Sequence, residues 1–278
     1  MSVLSICIPV YDDYDGLYFT VQALRLYHDL AEVSITVVDG SPHGSHAVEQ
    51  FTSDTNVRYL PAPWVRGVAA AKDVGIWAAD SDAVLCLDSH VLLYPGVLTR
   101  LKHYYLDNPD CKDLLQGPRI YDNGHIATHL DLVWAGRGFG APAYDKRIEI
   151  GKPFAIEMQA MQVFSVKKDS WPGYSPYFHG HGGGEEGYIH EKIRRRGSRC
   201  LCFPWFKWVH RPRRTKVGSP RAHLLDRITN YIIAWRELGL NDQIPINYFR
   251  NQIRPYEMAE VIATADSLYL NKRPTMPA

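Results

Sequence analysis

The run AVLCLDSH at residues 83–90 passes from five apolar positions straight into an acid, a serine and a histidine. An unbroken apolar run of this length, without polar alternation, suits a strand buried on both faces, as in a parallel sheet covered by helices. Upstream, LSICIPV (Leu4–Val10), VSITVVD (Val33–Asp39) and NVRYL (Asn56–Leu60) are short β-rich runs, near-continuously apolar and β-branched, and each ends in a turn or polar residue. Amphipathic stretches near 16–30, 44–52 and 67–80 separate them. Strands alternating with helices predict an α/β fold with a mostly parallel sheet. Such sheets bind ligands at the carboxyl ends of their strands, which directs attention to Tyr11, Asp12, Asp13, Asp39, Asp88, Ser89 and His90.

Downstream, a helix is expected at about 95–107, and residues 117–155 (GPRIYDNGH, AGRGFGAPAYDKR) read as irregular loops over a site. MQAMQVFSVKK reads as a further strand. HGHGGGEEGYIHEKIRRRG reads as a Gly-rich loop and a helix with an acidic start and a basic end, stopping at Gly197. Helical periodicity returns at 222–239 and 255–270. The expected organisation is a main domain over 1–216 and a helical extension over 217–278 packed on it.

With 278 residues, 46% hydrophobic and 22% charged, the chain can bury a core without staples, and disorder or a coiled coil is excluded. No run approaches 18 uncharged apolar residues, which excludes a membrane span, and MSVLSICIPVYDD reads as a strand rather than a signal peptide. Five cysteines, an odd number, suit a reducing compartment, so a cytoplasmic location is expected. Cys200 and Cys202 form C-x-C without a second pair, which argues against a zinc site. Net charge is +1, but residues 192–225 hold eleven Lys/Arg and no acid. That local excess would suit a polyanion.

Three constellations could carry chemistry. Asp88 and His90, two apart on an extended backbone, point the same way and can share one ion, for which carboxylate plus imidazole suits Mn²⁺ better than Mg²⁺. They read equally as a turn cap and a surface histidine. Gly182-Gly183-Gly184-Glu185-Glu186 opens a helix; the glycines permit close approach of a ligand, while two first-turn glutamates can also serve only the helix dipole. His210 closes an apolar aromatic run and is followed by Arg211, Arg213, Arg214 and Lys216, which could complete a metal site and cover phosphates, or form a solvated loop.

Taken together, these motifs resemble a known family. From Val3 to about Lys216 the chain looks like a glycosyltransferase of the GT-A fold, Rossmann-like with a mostly parallel sheet flanked by helices. It is most similar to the catalytic domain of the polypeptide N-acetylgalactosaminyltransferases. The matching residues are Tyr11-Asp12-Asp13, Val38-Asp39, the segment from Gly67 to Lys72, Leu87-Asp88-Ser89-His90, Gly183-Gly184-Glu185 and Val209-His210-Arg211. The resemblance implies that Asp88, His90 and His210 bind Mn²⁺ and that Asp39 contacts the uridine of a UDP-sugar. Tyr11, Asp12, Gly67 and Lys72 would also line the donor site, Arg211 and Arg214 would cover the phosphates, and Glu185 or Glu186 would face the acceptor hydroxyl or donor sugar. Gly182 stands where the family has tryptophan and Ala70 where arginine is usual, so the donor sugar stays open.

The expected activity is Mn²⁺-dependent sugar transfer from a UDP-sugar to a hydroxyl. The acceptor suggested by the basic stretch 192–225, with Trp205, Phe206 and Trp208 interleaved, is a hydroxymethylated pyrimidine in DNA. Protein Ser/Thr and glycans are alternative acceptors. From another class, a non-catalytic sugar- or nucleic-acid-binding module is the competing reading.

Overall fold

Every residue of β1 (Leu4–Val10) is buried, as the apolar run requires. The chain continues through α1 (Tyr14–Tyr27), β2 (Val33–Asp39), α2 (His46–Thr55), β3 (Arg58–Pro61), α3 (Val68–Trp77) and β4 (Ala83–Leu87). Then come β5 (Val91–Leu93), α4 (Val97–Asp107), β6 (Leu114–Gln116), β7 (Arg119–Ile120), β8 (Ile126–Ala127), β9 (His129–Asp131), β10 (Ala141–Ala143), β11 (Phe154–Ala155) and β12 (Val163–Lys167). The remainder is α5 (Glu185–Arg195), β13 (Cys200–Cys202), β14 (Trp208–His210), α6 (Pro220–Glu237), α7 (Gln243–Phe249) and α8 (Pro255–Leu270). This computed structural model describes residues 2–65, 67–131, 140–178, 180, 183–211 and 220–270.

Eight strands make the main sheet in the order β11-β13-β6-β12-β4-β1-β2-β3. β4, β1, β2 and β3 run parallel, and α1, α2 and α3 supply the connections that parallel neighbours need. β12 runs antiparallel to both β4 and β6, so the sheet is mixed. Side chains alternate between its faces. Leu4, Ile6 and Ile8 of β1, with Leu85 and Leu87 of β4, join Leu17 and Val21 of α1 and Leu98 and Leu101 of α4. Cys7, Val84 and Cys86 face the other way, into a cluster with Ile76 of α3 and Ile189 and Ile193 of α5. Ile228, Tyr231, Ile232 and Trp235 of α6 are buried in that same second cluster.

The stretch 117–155 departs from the expectation of irregular loops. Its β7 and β8 join β5 and β14 in a four-stranded sheet ordered β5-β14-β7-β8, and β9 pairs with β10. Two- and three-residue strands carry no periodicity to read. α7 was likewise unexpected. No helix among the described residues is long and apolar enough to cross a membrane.

Candidate active site

β4 ends at Leu87, and the chain turns through Asp88, Ser89 and His90 into β5. β14 pairs antiparallel with β5, placing His210 opposite Val91, and the Arg211 amide donates to the His90 carbonyl at 2.8 Å. Residues 120 positions apart in sequence thereby meet: the His90 and His210 rings lie with centroids 4.7 Å apart. His210 Nε2 stands 3.6 Å from Asp88 Oδ2, too far for a hydrogen bond. One ligand atom from each of Asp88, His90 and His210 falls within 4.8 Å of the others. Two donors each about 2.0–2.3 Å from one first-row ion stand at spacings of this kind.

The surroundings fit an ion. Asp88 Oδ1 and His210 Nε2 are buried yet take no hydrogen bond. His90 is engaged from behind: its Nδ1 lies 2.6 Å from Asp13 Oδ2, which also accepts from Ser89 Oγ at 2.6 Å. A carboxylate on one imidazole nitrogen fixes the ring and leaves Nε2 for a metal. Lys72, only 2% exposed, donates from Nζ to the Met161 carbonyl at 2.7 Å and approaches Asp88 Oδ1 at 3.2 Å without hydrogen-bond geometry. Burial alone would lower the Lys72 pKa, but Asp88 leads the groups that push it up to about 12. Burial would raise that of Asp88, yet Lys72, then His210 and His90, hold the carboxyl far below the usual range. His210 is pushed below the ordinary imidazole value by burial, against the pull of Asp88. The result is an ionised carboxylate beside a neutral imidazole, the protonation states that ligate metals.

Glu185 opens α5 and is 6% exposed, with Oε2 buried and unbonded. Burial first, and the Glu186 charge second, push its carboxyl up to about 7, with Lys72 opposing. The Gly-rich loop before it does not face a ligand through all its glycines. Gly183 and Gly184 have φ of +98° and +89°, and a Cβ there would meet Arg227 at 2.7 Å and Asn230 at 3.0 Å. These glycines admit α6 against the loop.

Tyr11 and Asp12 stand exposed after β1, with Asp12 at φ +46°, and Asp39 ends the neighbouring β2. Asp39 is fully buried, accepting from the Ser41 amide and the Tyr59 hydroxyl, each at 2.9 Å. Gly67 caps α3 at φ +90°, where a Cβ would run into the Gly180 carbonyl. Arg211 is brought near through its backbone only, since its guanidinium pairs outward with Asp122 at 2.9 Å. Arg214 lies outside the described residues, as does Gly182. Of the basic stretch, Arg194 and Arg195 both bind Glu191, and Arg199 binds Asp113. Reasoning from sequence gave Asp13 no role beyond its place at a strand end, and missed Arg119 and Tyr59 entirely.

The family model for glycosyl transferase family 2 matches residues 5–169, more than half of the chain. No curated protein matches it in sequence. Among solved structures it is similar to GalNAc-T7 with UDP, GalNAc and Mn²⁺, at TM-score 0.69 and 16% identity over 95% of this chain. The chain spans about half that protein's length (54%). It is also similar to the mannosyltransferase PcManGT of Pyrobaculum calidifontis in complex with GDP-Man and Mn²⁺, at TM-score 0.56, 12% identity, and coverage of 98% and 76% of the two chains. A third similar structure is S. aureus TarS 1–349 with UDP-GlcNAc, at TM-score 0.58, 10% identity, and coverage of 97% and 82%. At these identities the likeness is one of fold, and the fold is that of the GT-A enzymes.

Proposed function

The chain belongs to glycosyl transferase family 2, and we propose that it moves a sugar from a UDP-sugar to a hydroxyl acceptor with Mn²⁺ held by Asp88, His90 and His210. The observation that carries this reading is the convergence of one ligand atom each from Asp88, His90 and His210 at the carboxyl end of β4, where Asp88 Oδ1 and His210 Nε2 are buried without a hydrogen bond. UDP accompanies two of the three similar structures in their descriptions, and Mn²⁺ two of the three.

In the reaction the bond from the anomeric carbon to the diphosphate oxygen breaks, a bond from that carbon to the acceptor oxygen forms, the hydroxyl loses its proton, and UDP departs. Asp88, His90 and His210 would hold a divalent ion, which would supply positive charge against the departing diphosphate. Asp13 holds the His90 ring in position, and Lys72 keeps Asp88 ionised from beneath. Tyr11, Asp12, Asp39 and Gly67, at the ends of adjacent strands and the head of α3, receive the nucleotide. Arg211, once released from Asp122, serves the phosphates, and the role of Arg214 there rests on the sequence alone. Glu185, whose carboxyl exchanges protons near neutrality, takes the acceptor proton, with Glu186 beside it.

For the acceptor we retain a hydroxymethylated pyrimidine in DNA, and with it a cytoplasmic site of action. Its support is the acid-free stretch 192–225, less Arg194 and Arg195, which Glu191 occupies, Arg199, which pairs with Asp113, and Arg211, which pairs with Asp122. The test is UDP release from a UDP-sugar panel with Mn²⁺, run with hydroxymethylated DNA, a Ser/Thr peptide and free sugars. Transfer to DNA alone is expected. Transfer to peptide or sugar without DNA transfer contradicts the acceptor, and no UDP release with any donor contradicts the activity.

A further inference from the structure

Arg119 opens β7, where parallel pairing sets it beside Trp208, two residues before His210 on β14. Side chains two apart on a strand share a face, and the Trp208 and His210 rings meet edge-on with centroids 6.5 Å apart. The Arg119 guanidinium lies over Tyr121, with Cζ 4.4 Å from that ring's centroid and 6.0 Å from that of Trp208. An aromatic shelf therefore holds a cation on the strand next to a metal-ligand candidate.

Among the described residues that cation has no anion. Its Nε is shut off from solvent and takes no hydrogen bond, and no carboxylate pairs with it among the described residues. None of the residues outside the described ones carries an acidic side chain. Arg236, by contrast, is clasped by Asp242 and Asp266, each at 2.7 Å. A half-buried guanidinium without a counter-ion is costly unless a ligand supplies one.

We infer that Arg119 is a phosphate-binding residue, its planar fork taking phosphoryl oxygens beside the Asp88–His90–His210 group. This rests on the reading of the site as a nucleotide-sugar transferase. The oxygens can come from the donor diphosphate or from the backbone of a nucleic-acid acceptor, and the test separates the two.

The full-length chain and its Arg119→Gln and Arg119→Lys variants, each shown to be folded by circular dichroism and melting, are titrated with UDP and UMP in Mn²⁺ and with single-stranded DNA. If the donor is the source, Arg119→Gln loses about 10- to 100-fold in UDP affinity, UMP binding changes far less, and Arg119→Lys recovers part of the loss. If the acceptor is the source, nucleotide binding holds while DNA affinity falls and its salt slope becomes shallower by about one phosphate. A folded Arg119→Gln that binds UDP and DNA within twofold of wild type overturns the inference. Should wild type bind no UDP, the transferase reading fails, and inorganic pyrophosphate decides Arg119 separately: binding lost in Arg119→Gln supports it, and binding equal in both, or absent from both, overturns it.

Discussion

Glu185 joins two properties that one substitution should separate. Its carboxyl stays protonated in the fold up to about pH 7, whereas in the unfolded chain it ionises at the ordinary glutamate value. The native state thus binds more protons across that window, and its stability falls as pH rises through it. Glu185→Gln removes that cost, so the variant should melt above wild type at pH 8 and converge with it at pH 5. An equal difference at both pH values contradicts the assignment. The same variant should lose about 10² to 10⁴ in turnover if Glu185 handles the acceptor proton, and little if it only caps α5. Asp13 is the second residue of this kind. Asp13→Asn should weaken Mn²⁺ binding about 10- to 100-fold, measured by electron paramagnetic resonance with the fold intact, because the His90 ring loses its orienting carboxylate. Unchanged affinity would reduce the Asp13 contact to packing.

At the level of elements, the Gly-rich loop is held by α6 rather than left open. Gly184→Ala should destabilise by about 1–3 kcal/mol, since alanine at φ +89° is strained and its Cβ meets Asn230. A melting point equal to wild type would show the loop able to shift. This arrangement was hidden in the sequence, where three glycines before two glutamates suggested a ligand. The neighbour of Gly183 and Gly184 in the fold lies some 45 positions on, in α6, and nothing local announces it. The long buried strands were legible because Ala83–Leu87 is apolar throughout and Leu4–Val10 is apolar but for Ser5, and a strand buried on both faces needs that composition. Asp88 and His90 were legible as strand-end residues for the same reason. The small sheet was not, because β7 and β8 are two residues each and depend on β14 pairing from far away. Arg119 went unread with them, since its lack of an ion-pair partner among the described residues is a property of the fold alone.

For the whole molecule, the C-terminal helices belong to the core more than an appendage does. Ile228, Ile232 and Ile233 are fully buried, in one cluster with Tyr188 and Ile189 of α5. Cutting the chain after residue 216 should leave that face exposed, giving a product that aggregates or melts without a cooperative transition. A soluble 1–216 fragment melting like the intact chain would show two independent units. The central claim is that three residues from two segments some 120 positions apart in the sequence make one metal site at the carboxyl end of β4. A crystal grown with UDP and Mn²⁺, measured at the manganese absorption edge, tests it most directly. The predicted result is one anomalous peak within about 2.0–2.3 Å of Asp88, His90 and His210 together. Bound UDP with the peak elsewhere, or with His210 turned away from it, would contradict the claim.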